Sequence, residues 1–366
     1  MSCAARGWWG FSILILILSA WLAGPWQAVL RGVEPCGAAA VEPAPGRYEF
    51  QEVHMGAPIK IVLYAADEAS ANTAAAKAFA RIGQLDELLS DYDPDSELSR
   101  LSRTAGSGQA VEVSRELWFV LSRAQKLAEA TGGAFDVTVG PYVRLWRRAR
   151  RQSELPDPAR LAQARQAVGY RNLELDPGRR TAKLLAPAMT LDLGGIAMGY
   201  AADEALGVLA RQGVHRALID ASGDIVAGEA PPGRDGWSIG VAALGKPDSP
   251  PNRYVLLRHA AVTTSGDAFQ FVEIDGVRYS HIVDPRTGLG LTEPMSVTVV
   301  AADCITADSL ATAVCVLGPE KGLELIEDTA GAAGLIVRRA GERVETVESR
   351  WFDRFEMEPM ASPAGP

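Results

Sequence analysis

The chain has 366 residues, 48% of them hydrophobic, and a formal net charge of −9 at pH 7. This length and apolar content suffice for one large folded domain or two smaller ones. The acidic balance argues against a nucleic-acid-binding protein, because affinity for a phosphate backbone comes chiefly from clustered Lys and Arg. The one basic cluster, Arg144 to Arg151, is interrupted and is more typical of the polar face of a helix end.

Residues 1–31 are predicted to be a signal peptide or a membrane anchor. No residue from Gly7 to Leu30 is charged, and Arg6 precedes the apolar run. The run is long enough to span a bilayer, whereas the small residues at 37–40 suit a cleavage site, so both fates stay open. The charge in front of the run places the remaining chain outside the cytoplasm. Residues 32–47, rich in Ala, Pro and Gly, are predicted to be a linker.

Predicted strands and helices follow one another irregularly from residue 48 to residue 355. Apolar periodicity and glycine stop signals predict helices at about 69–90, 115–131, 159–168, 196–212 and 307–317. Strands are predicted as a hairpin within 48–64, near 173, and at 182–185, 216–220, 237–241, 254–257, 261–264, 269–274, 278–283, 296–301 and 334–338. Runs of strands with helices between them predict an α+β domain over 48–355, followed by a flexible tail at 356–366.

The four cysteines do not predict a disulfide framework. Cys3 and Cys36 lie in or beside the leader, and the residues before Cys36 lack the small side chains of a bacterial lipid-attachment box. Cys304 and Cys315 have neither Cys-x-x-Cys spacing nor a nearby His. Lipidation and zinc binding are therefore disfavoured, and the second pair is expected to pack in the core or form at most one disulfide.

The segment Ala307 to Thr312 is a candidate metal site. If Thr306 caps the helix that follows, Asp308 and Thr312 lie four residues apart on one face. Carboxylate and hydroxyl oxygens are ligands that Mg²⁺ takes while keeping other positions for water and phosphate. The positive end of the helix would favour a phosphate beside the metal. The alternative is an ordinary capped helix with a solvated Asp.

A second candidate lies at Leu191 to Gly199, where Asp192 and the pair Gly194-Gly195 precede a predicted helix. Glycine allows a ligand to approach the backbone closely, and a helix start offers N–H groups to phosphate. The glycine spacing does not match the dinucleotide-binding G-x-G-x-x-G pattern. A tight strand-to-helix turn without a ligand is the alternative.

Three further motifs carry candidate binding residues. They are the Gly-rich corner 131–136 with Phe135, the turn signal at 90–100 with Tyr92, and His281 before the Asp284-Pro285 turn. A His near a metal-bound phosphate can act as a general base. The respective alternatives are a core aromatic residue, a solvated helix cap and a structural His.

Taken in order, these motifs resemble the ApbE family of FAD:protein FMN transferases. The resemblance runs from about residue 48 to about residue 355 and rests on the segments 54–56, 90–100, 132–136, 191–203, 264–267, 281–288 and 307–312. It implies an ApbE-like, T-fold-like α+β body with antiparallel sheets and packed helices. It also implies a bacterial enzyme that is periplasmic or anchored at the periplasmic face of the inner membrane.

The resemblance implies a reaction and a set of site residues. FMN would move from FAD to a Thr or Ser hydroxyl of an acceptor flavoprotein of a membrane or periplasmic electron-transfer system, with Mg²⁺ as cofactor and AMP as product. The positions that correspond to FAD contacts are Met55, Tyr92, Ala134, Phe135, Asp136, Asp192, Met198 and Ile282. Asp308, Thr312 and the carbonyl of Gly195 correspond to Mg²⁺ ligands, and His281 and Asp308 are the predicted catalytic residues.

Departures from the family pattern keep two other functions open. The family usually has Lys at the position of Met198, Thr at that of Ala57, and Gly-Gly at that of Ala221-Ser222. The loss of a Lys removes one positive charge beside the pyrophosphate. A Mg²⁺-dependent FAD pyrophosphatase and a non-catalytic exported flavin-binding protein are the alternatives. Asp308 and Thr312 favour an enzyme, because a module that only held flavin would need no metal at the pyrophosphate.

Overall fold

A computed structural model describes residues 44–241, 244, 251, 253–266, 270–341 and 343–357. The predicted leader, most of the predicted linker and residue Asp267 lie outside these residues. Within the described ranges, none of the helices combines the length and the apolar character needed to cross a membrane. The described residues from Ala44 onward form one compact unit.

Eight α-helices and sixteen strands occur in the described part of the chain. The helices are α1 (Glu68–Leu89), α2 (Glu97–Ser102), α3 (Arg115–Ala130), α4 (Gly140–Gln152), α5 (Pro158–Arg165), α6 (Ala197–Arg211), α7 (Cys304–Leu317) and α8 (Pro319–Asp328). The strands are β1 (Gly46–His54), β2 (Ala57–Ala65), β3 (Val111–Glu112), β4 (Leu173–Asp176), β5 (Thr181–Leu184), β6 (Ala217–Ala221), β7 (Asp224–Ala227), β8 (Trp237–Val241), β9 (Arg253–Leu257), β10 (Ala260–Gly266), β11 (Phe271–Ile274), β12 (Val277–Ser280), β13 (Met295–Ala301), β14 (Ala333–Ala340), β15 (Arg343–Glu348) and β16 (Glu356–Met357). Single-turn 3-10 helices lie at Tyr170–Asn172 and Phe352–Arg354.

An eight-stranded sheet with the order β1-β2-β6-β7-β10-β13-β14-β15 forms the centre of the fold. All of its neighbouring strands are antiparallel. Smaller antiparallel sheets are β11-β12, β16-β9-β8 and β3-β5-β4. The predicted α+β body with antiparallel sheets and packed helices is confirmed.

Both faces of the central sheet are covered. Successive strand residues point to opposite faces, so Ile61 of β2 packs in the cluster that holds the helices, while its neighbour Val62 packs in a second cluster with Trp237 of β8. Every residue of β13 is buried, as expected for a central strand covered on both sides. Helix α7 lies in the first cluster, and most of its residues are buried. The carboxylate of Asp308 on α7 is therefore held in the protein interior.

The structure corrects the predicted start of the last long helix. Helix α7 begins at Cys304, and its N-cap is Asp303, whose carboxylate accepts a hydrogen bond from Thr306 N at 3.0 Å. The prediction that Thr306 is the cap is wrong, because Asp303 holds the extended cap conformation and Thr306 lies inside the first turn. Cys304 and Cys315 are both buried, so they pack in the core and form no disulfide with each other.

The predicted domain limits are also too narrow. β1 begins at Gly46, inside the predicted linker, and β16 occupies Glu356–Met357, inside the predicted tail. β16 pairs with β9, and Arg253 Nε lies 2.6 Å from Glu356 Oε1. Pairing and a charged contact therefore hold the chain beyond residue 355.

Candidate active site

The contact between α6 and α7 positions Asp308. A Cβ built at Gly199 of α6 would lie 2.5 Å from the Cys304 carbonyl oxygen, so the two backbones meet only because this residue is glycine. Gly199 N donates to Asp308 Oδ2 at 3.2 Å. One turn later, Asp203 accepts hydrogen bonds from Cys304 N at 2.8 Å and Ile305 N at 2.9 Å. These bonds fix the start of α7 against α6.

The three predicted metal ligands lie around this contact. A Cβ built at Gly195 would lie 3.0 Å from Thr312 Oγ1, so the turn before α6 touches the same side of α7 that carries Asp308. One carboxylate, one hydroxyl and one backbone carbonyl are hard oxygen donors of the kind that fit Mg²⁺ with retained water. The described residues contain no group of three His, Cys, Asp or Glu side chains that would form an all-side-chain metal site.

Buried negative charge also fits a cation here. Burial raises the pKa of Asp308 well above its ordinary value, the carboxylates of Asp224 and Asp203 raise it further, and the Gly199 N–H lowers it. Burial likewise raises the pKa of Asp224 to about 7, against the hydrogen bond from Thr263. Burial raises the pKa of Asp203 to about 7 as well, despite its two backbone hydrogen bonds. Because a divalent cation stabilises an ionised carboxylate, a cation bound at Asp308 would offset the burial that raises its pKa.

A second group of residues surrounds Arg147 of α4. Its Nη1 lies 2.5 Å from Asp91 Oδ2 and its Nη2 lies 3.1 Å from Asp192 Oδ2. The guanidinium stands 4.0 Å from the ring centroid of Tyr92, whose side chain is 74% exposed. Asp192 also accepts from Gly194 N at 2.9 Å, and burial raises its pKa. The structure thus brings together Tyr92 and Asp192, which the sequence had placed in separate motifs.

An open cleft of about 500 Å³ adjoins this group. Volumes of this order hold drug-sized ligands. Its lining residues come from the loop before α2, from α2, from α4 and from the segment before Asp192. The polar residues among them are Asp91, Ser99, Ser102, Arg103, Arg144, Arg147 and Thr190.

The predicted FAD-contact residues of the Gly-rich corner 131–136 are buried. Ala134 and Phe135 are buried, and Asp136 Oδ1 accepts from Thr138 N at 2.8 Å and from Thr138 Oγ1 at 2.7 Å. Asp136 Oδ2 accepts from Tyr170 N at 2.8 Å. The Asp136 carboxylate is therefore satisfied inside the protein, and any ligand contact of this corner falls to its backbone or to its neighbours. Asp192 N donates to Val137 O at 2.8 Å, which joins the corner to the Arg147 group.

The remaining predicted residues lie on three other segments. Met55 lies in the turn between β1 and β2, where its N–H donates to Asp86 Oδ2 at 2.8 Å. Met198 is partly buried in the first turn of α6. Ile282 is buried beside His281, whose backbone N and ring Nδ1 each lie 3.0 Å from the Gln270 carbonyl oxygen.

Hydrogen bonds join the turn after His281 to helices α4 and α7. Trp146 Nε1 of α4 donates to Gly288 O at 2.8 Å, and Arg286 Nη2 donates to Val316 O of α7 at 3.2 Å. Helix α4 therefore holds the Arg147 group with one residue and the His281 turn with its neighbour.

Comparison with known proteins shows the family to which the chain belongs. The model of the ApbE family matches residues 55–336. The FAD:protein FMN transferase of Treponema pallidum is 33% identical over 332 residues, which cover 87% of this chain and 91% of that protein. The chain belongs to the ApbE family. An FAD:protein FMN transferase of Klebsiella pneumoniae is 30% identical over 310 residues, covering 82% of this chain and 87% of the relative.

Solved ApbE structures share the fold. The apo form of the flavinyl transferase ApbE of Pseudomonas stutzeri has a TM-score of 0.75 at 29% identity and covers 86% of this chain and 98% of that one. The ApbE protein of Thermotoga maritima has a TM-score of 0.76 at 31% identity and covers 86% of this chain and all of that one, at 100%.

Sequence reasoning missed two site residues of this ApbE chain. Arg147 was treated only as part of a basic cluster, although Tyr142, Trp146 and Ala149 are spaced as the buried face of a helix that Arg147 borders. Asp203 was included in a motif without a role, and nothing in its local sequence indicates that it caps α7 from another helix. The apolar spacing around Arg147 could have indicated its helix from the sequence. The role of Asp203 depends on tertiary structure.

Proposed function

We propose that this ApbE chain is a Mg²⁺-dependent FAD:protein FMN transferase that modifies a Thr or Ser hydroxyl of an exported flavoprotein and releases AMP. The observation that carries the proposal is the convergence of Asp308, Thr312 and Gly195 at one helix contact, with Asp192 of the Arg147 group three residues before Gly195. Pyrophosphate cleavage asks the protein mainly for positioning and charge neutralisation.

Asp308, Thr312 and the Gly195 carbonyl would hold Mg²⁺, which when bound neutralises charge on the phosphate oxygens. Tyr92 offers an exposed ring for stacking, and the helix starts of α6 and α7 favour negative charge. His281 would accept the proton of the acceptor hydroxyl. A proton on Nδ1, donated to the Gln270 carbonyl at 3.0 Å, makes Nε2 the accepting nitrogen.

In the proposed transfer step one phosphorus–oxygen bond forms and one breaks. The acceptor oxygen forms a bond to the FMN phosphorus while its proton passes to His281. The bond from that phosphorus to the bridging oxygen breaks, and AMP leaves with that oxygen. The same site supports a second candidate, an FAD pyrophosphatase, in which water takes the place of the acceptor hydroxyl.

The proposed location is the periplasmic face of the bacterial inner membrane. The support is the uncharged run from Gly7 to Leu30 with Arg6 in front of it. The acceptor would then be a redox protein of the membrane or periplasm.

The test is to incubate the full chain with FAD, Mg²⁺ and a candidate acceptor domain and to weigh the acceptor by mass spectrometry. The acceptor should gain the mass of FMN, and AMP should appear in equal amount. Asp308→Asn and chelation of Mg²⁺ should each lower the rate by roughly 100-fold or more, since preorganised charge at a reacting phosphate contributes on that scale.

The control is Asp328→Asn, which changes an exposed carboxylate at the end of α8. It should label the acceptor at the unaltered rate. FMN and AMP without labelled acceptor would favour the pyrophosphatase, and full labelling by Asp308→Asn would exclude the metal assignment.

A further inference from the structure

Helices α4 and α5 concentrate positive charge in a protein that is acidic as a whole. From Gly140 to Arg165 the chain has seven arginines and two carboxylates, Glu154 and Asp157, whereas its net charge is −9. The two helices themselves contain no Asp or Glu. The seven arginines are Arg144, Arg147, Arg148, Arg150, Arg151, Arg160 and Arg165. Clustered charge of one sign raises the local concentration of partners of the opposite sign.

Little of this charge is neutralised within the protein. Arg147 makes ion pairs with Asp91 and Asp192. The other six arginines, which we call the arginine face, make no ion pair with a residue that the structure describes. The exposed members of the face are Arg144, Arg148, Arg151, Arg160 and Arg165. Their charge is therefore open to a partner.

The stability of α4 accounts for only part of the arginine face. A helix dipole favours positive charge at the C-terminus, and the effect falls off within the last turn. The last turn of α4 holds Arg150 and Arg151. Arg148 donates to the neutral amide of Gln152 at 2.8 Å, and Arg144 lies in the first half of the helix. The helix alone therefore does not explain the positions of these last two arginines.

The arginine face adjoins the proposed proton acceptor His281. Arg150 Nη1 lies 3.5 Å from Gln270 Oε1, and the carbonyl oxygen of the same Gln270 lies 3.0 Å from His281 Nδ1. Arg144 lines the cleft of about 500 Å³ together with Arg147. The face thus extends from the cleft to the residue that contacts His281.

Packing of α4 on the strands around His281 fixes this arrangement. The ring centroids of Trp146 and Tyr279 lie 5.2 Å apart, and Trp146 forms a buried cluster with Tyr142. Burial raises the pKa of the Tyr142 hydroxyl, Arg165 lowers it and Asp284 raises it, so both charges lie near that hydroxyl. Arg165 of α5 is therefore close to the turn that follows His281.

A protein acceptor fits this surface better than a lipid bilayer. The proposed transfer brings an acceptor hydroxyl to His281, so the surface around His281 must face the acceptor during the reaction. Gln270, between His281 and the arginine face, is exposed. A bilayer lying against the arginine face would cover this approach. An acceptor with Asp and Glu side chains around its hydroxyl would instead complement the charge of the face.

We infer that the arginine face docks an acidic surface of the acceptor protein beside His281. The inference rests on the proposed function, because it takes the protein acceptor of FMN as the partner. Complementary charge of this kind speeds the encounter and selects among partners. The arginine face therefore determines which exported proteins reach the site, and it takes no part in the chemical step.

The test is the triple variant Arg148→Gln, Arg151→Gln and Arg165→Gln of the full chain in a non-ionic detergent with FAD and Mg²⁺. The substrate is the acceptor domain that the unaltered chain labels. Its kcat/KM should fall about tenfold at an ionic strength of about 0.01 M. At about 1 M, where the Debye length is about 3 Å, the two chains should differ by less than about twofold. The kcat at saturating acceptor and the affinity for FAD, measured by flavin fluorescence, should not change.

The matched control is the triple variant Arg211→Gln, Arg258→Gln and Arg339→Gln. These residues are exposed, lie on α6, after β9 and on β14, and make no ion pair within the described part of the chain. The control removes the same net charge, so its kcat/KM should stay within about twofold of the original. An equal fall in both triples would overturn the inference, since net charge alone would then explain the loss. An unchanged kcat/KM in the test triple would overturn it as well.

A fluorescein-labelled decaglutamate peptide measures the same surface without any reaction. Its dissociation constant, from fluorescence anisotropy at an ionic strength of about 0.01 M, should rise about tenfold in the test triple and less than about twofold in the control triple. If the unaltered chain labels no acceptor, the proposed function fails, and the peptide measurement alone decides the inference. Equal peptide affinity of the unaltered chain and the test triple would overturn it.

Thermal unfolding of each variant shows whether the fold is intact. If the test triple does not fold, the double variant Arg148→Gln and Arg151→Gln takes the same measurements, with the same direction of change. A membrane partner would give a different pattern. The test triple would then label the acceptor at the unaltered rate in detergent and more slowly only in phosphatidylglycerol vesicles, and this result would overturn the inference.

Discussion

Single side chains determine the charge of the candidate site. Met198 lies in the first turn of α6, directly before Gly199, whose N–H contacts Asp308. The side chain is partly buried and has neither charge nor hydrogen-bond donor. Because this neutral residue adjoins the one that binds Asp308, Met198 offers a direct test of whether a further cation helps catalysis.

Met198→Lys is expected to raise the rate of FAD cleavage by up to about tenfold. Met and Lys are similar in length, and one charge-assisted contact that forms as charge moves onto the leaving AMP contributes about 1.5 kcal/mol. The measurement is the initial rate at saturating FAD and Mg²⁺, with Met198→Leu as a volume-matched control. An unchanged rate with intact FAD binding would mean that a further cation at position 198 does not help cleavage.

The candidate site shows which residues a sequence can reveal. Asp308 and Thr312 were predicted to share a face from their spacing alone, and the structure places both against the glycine turn at Gly195. Arg147 could not be assigned, because its partners Asp91 and Asp192 lie 56 and 45 residues away. Local patterns report which residues lie on one face of an element. Ion pairs between elements depend on the packed fold.

Among the elements, the packing of α6 on α7 sets the geometry of the predicted metal site. The contact needs a residue without a side chain at Gly199, since a Cβ there would meet the Cys304 carbonyl at 2.5 Å. It also needs the Asp203 carboxylate, which binds two N–H groups in the first turn of α7. Replacement of Gly199 or of Asp203 should therefore move Asp308 away from the turn at Gly195.

Gly199→Ala is expected to destabilise the protein by about 1 to 3 kcal/mol, because overpacking forces the two helices apart. Denaturant unfolding measures this change, and Mg²⁺-dependent FAD cleavage should fall with it. Gly207→Ala on the same helix is the control, since its Cβ would meet only the flexible end of Arg211 at 3.4 Å. That variant should keep its activity and gain up to about 1 kcal/mol from helix propensity. Equal effects of the two substitutions would contradict the close-contact argument.

The elements themselves were predictable to different degrees. The long helices α1, α3, α6 and α7 have regular apolar spacing or glycine boundaries, and each was expected within a few residues of its observed limits. Helix α2 was missed, because its six residues overlap the turn signal at 90–100 and bury only Leu98 and Leu101. Strand β15 was missed as well, since it lies at the edge of the sheet and has no buried residue.

At the scale of the whole molecule, the described residues from Ala44 onward form a compact unit of their own. β1 pairs along its full length with β2, from Gly46 with Ala65 to His54 with Ala57. The core clusters and the candidate site draw only on residues from Tyr48 onward. The eight described strands of the sheet that carries α1, α6 and α7 all lie between Gly46 and Glu348.

A shortened chain that begins at Ala44 should therefore fold, remain soluble and bind FAD within about twofold of the full chain's affinity. The full chain should fractionate with membranes, because an uncharged run of the length of Gly7 to Leu30 partitions into a bilayer. The measurements are membrane flotation of both chains and FAD titration of the shortened one. A chain that begins at Met55 is the control: it lacks β1, exposes the edge of β2 and should lose stability. If removal of the leader alone abolished FAD binding, the first 43 residues would have to pack against the site, and the separation of an export segment from a self-sufficient catalytic unit would be wrong.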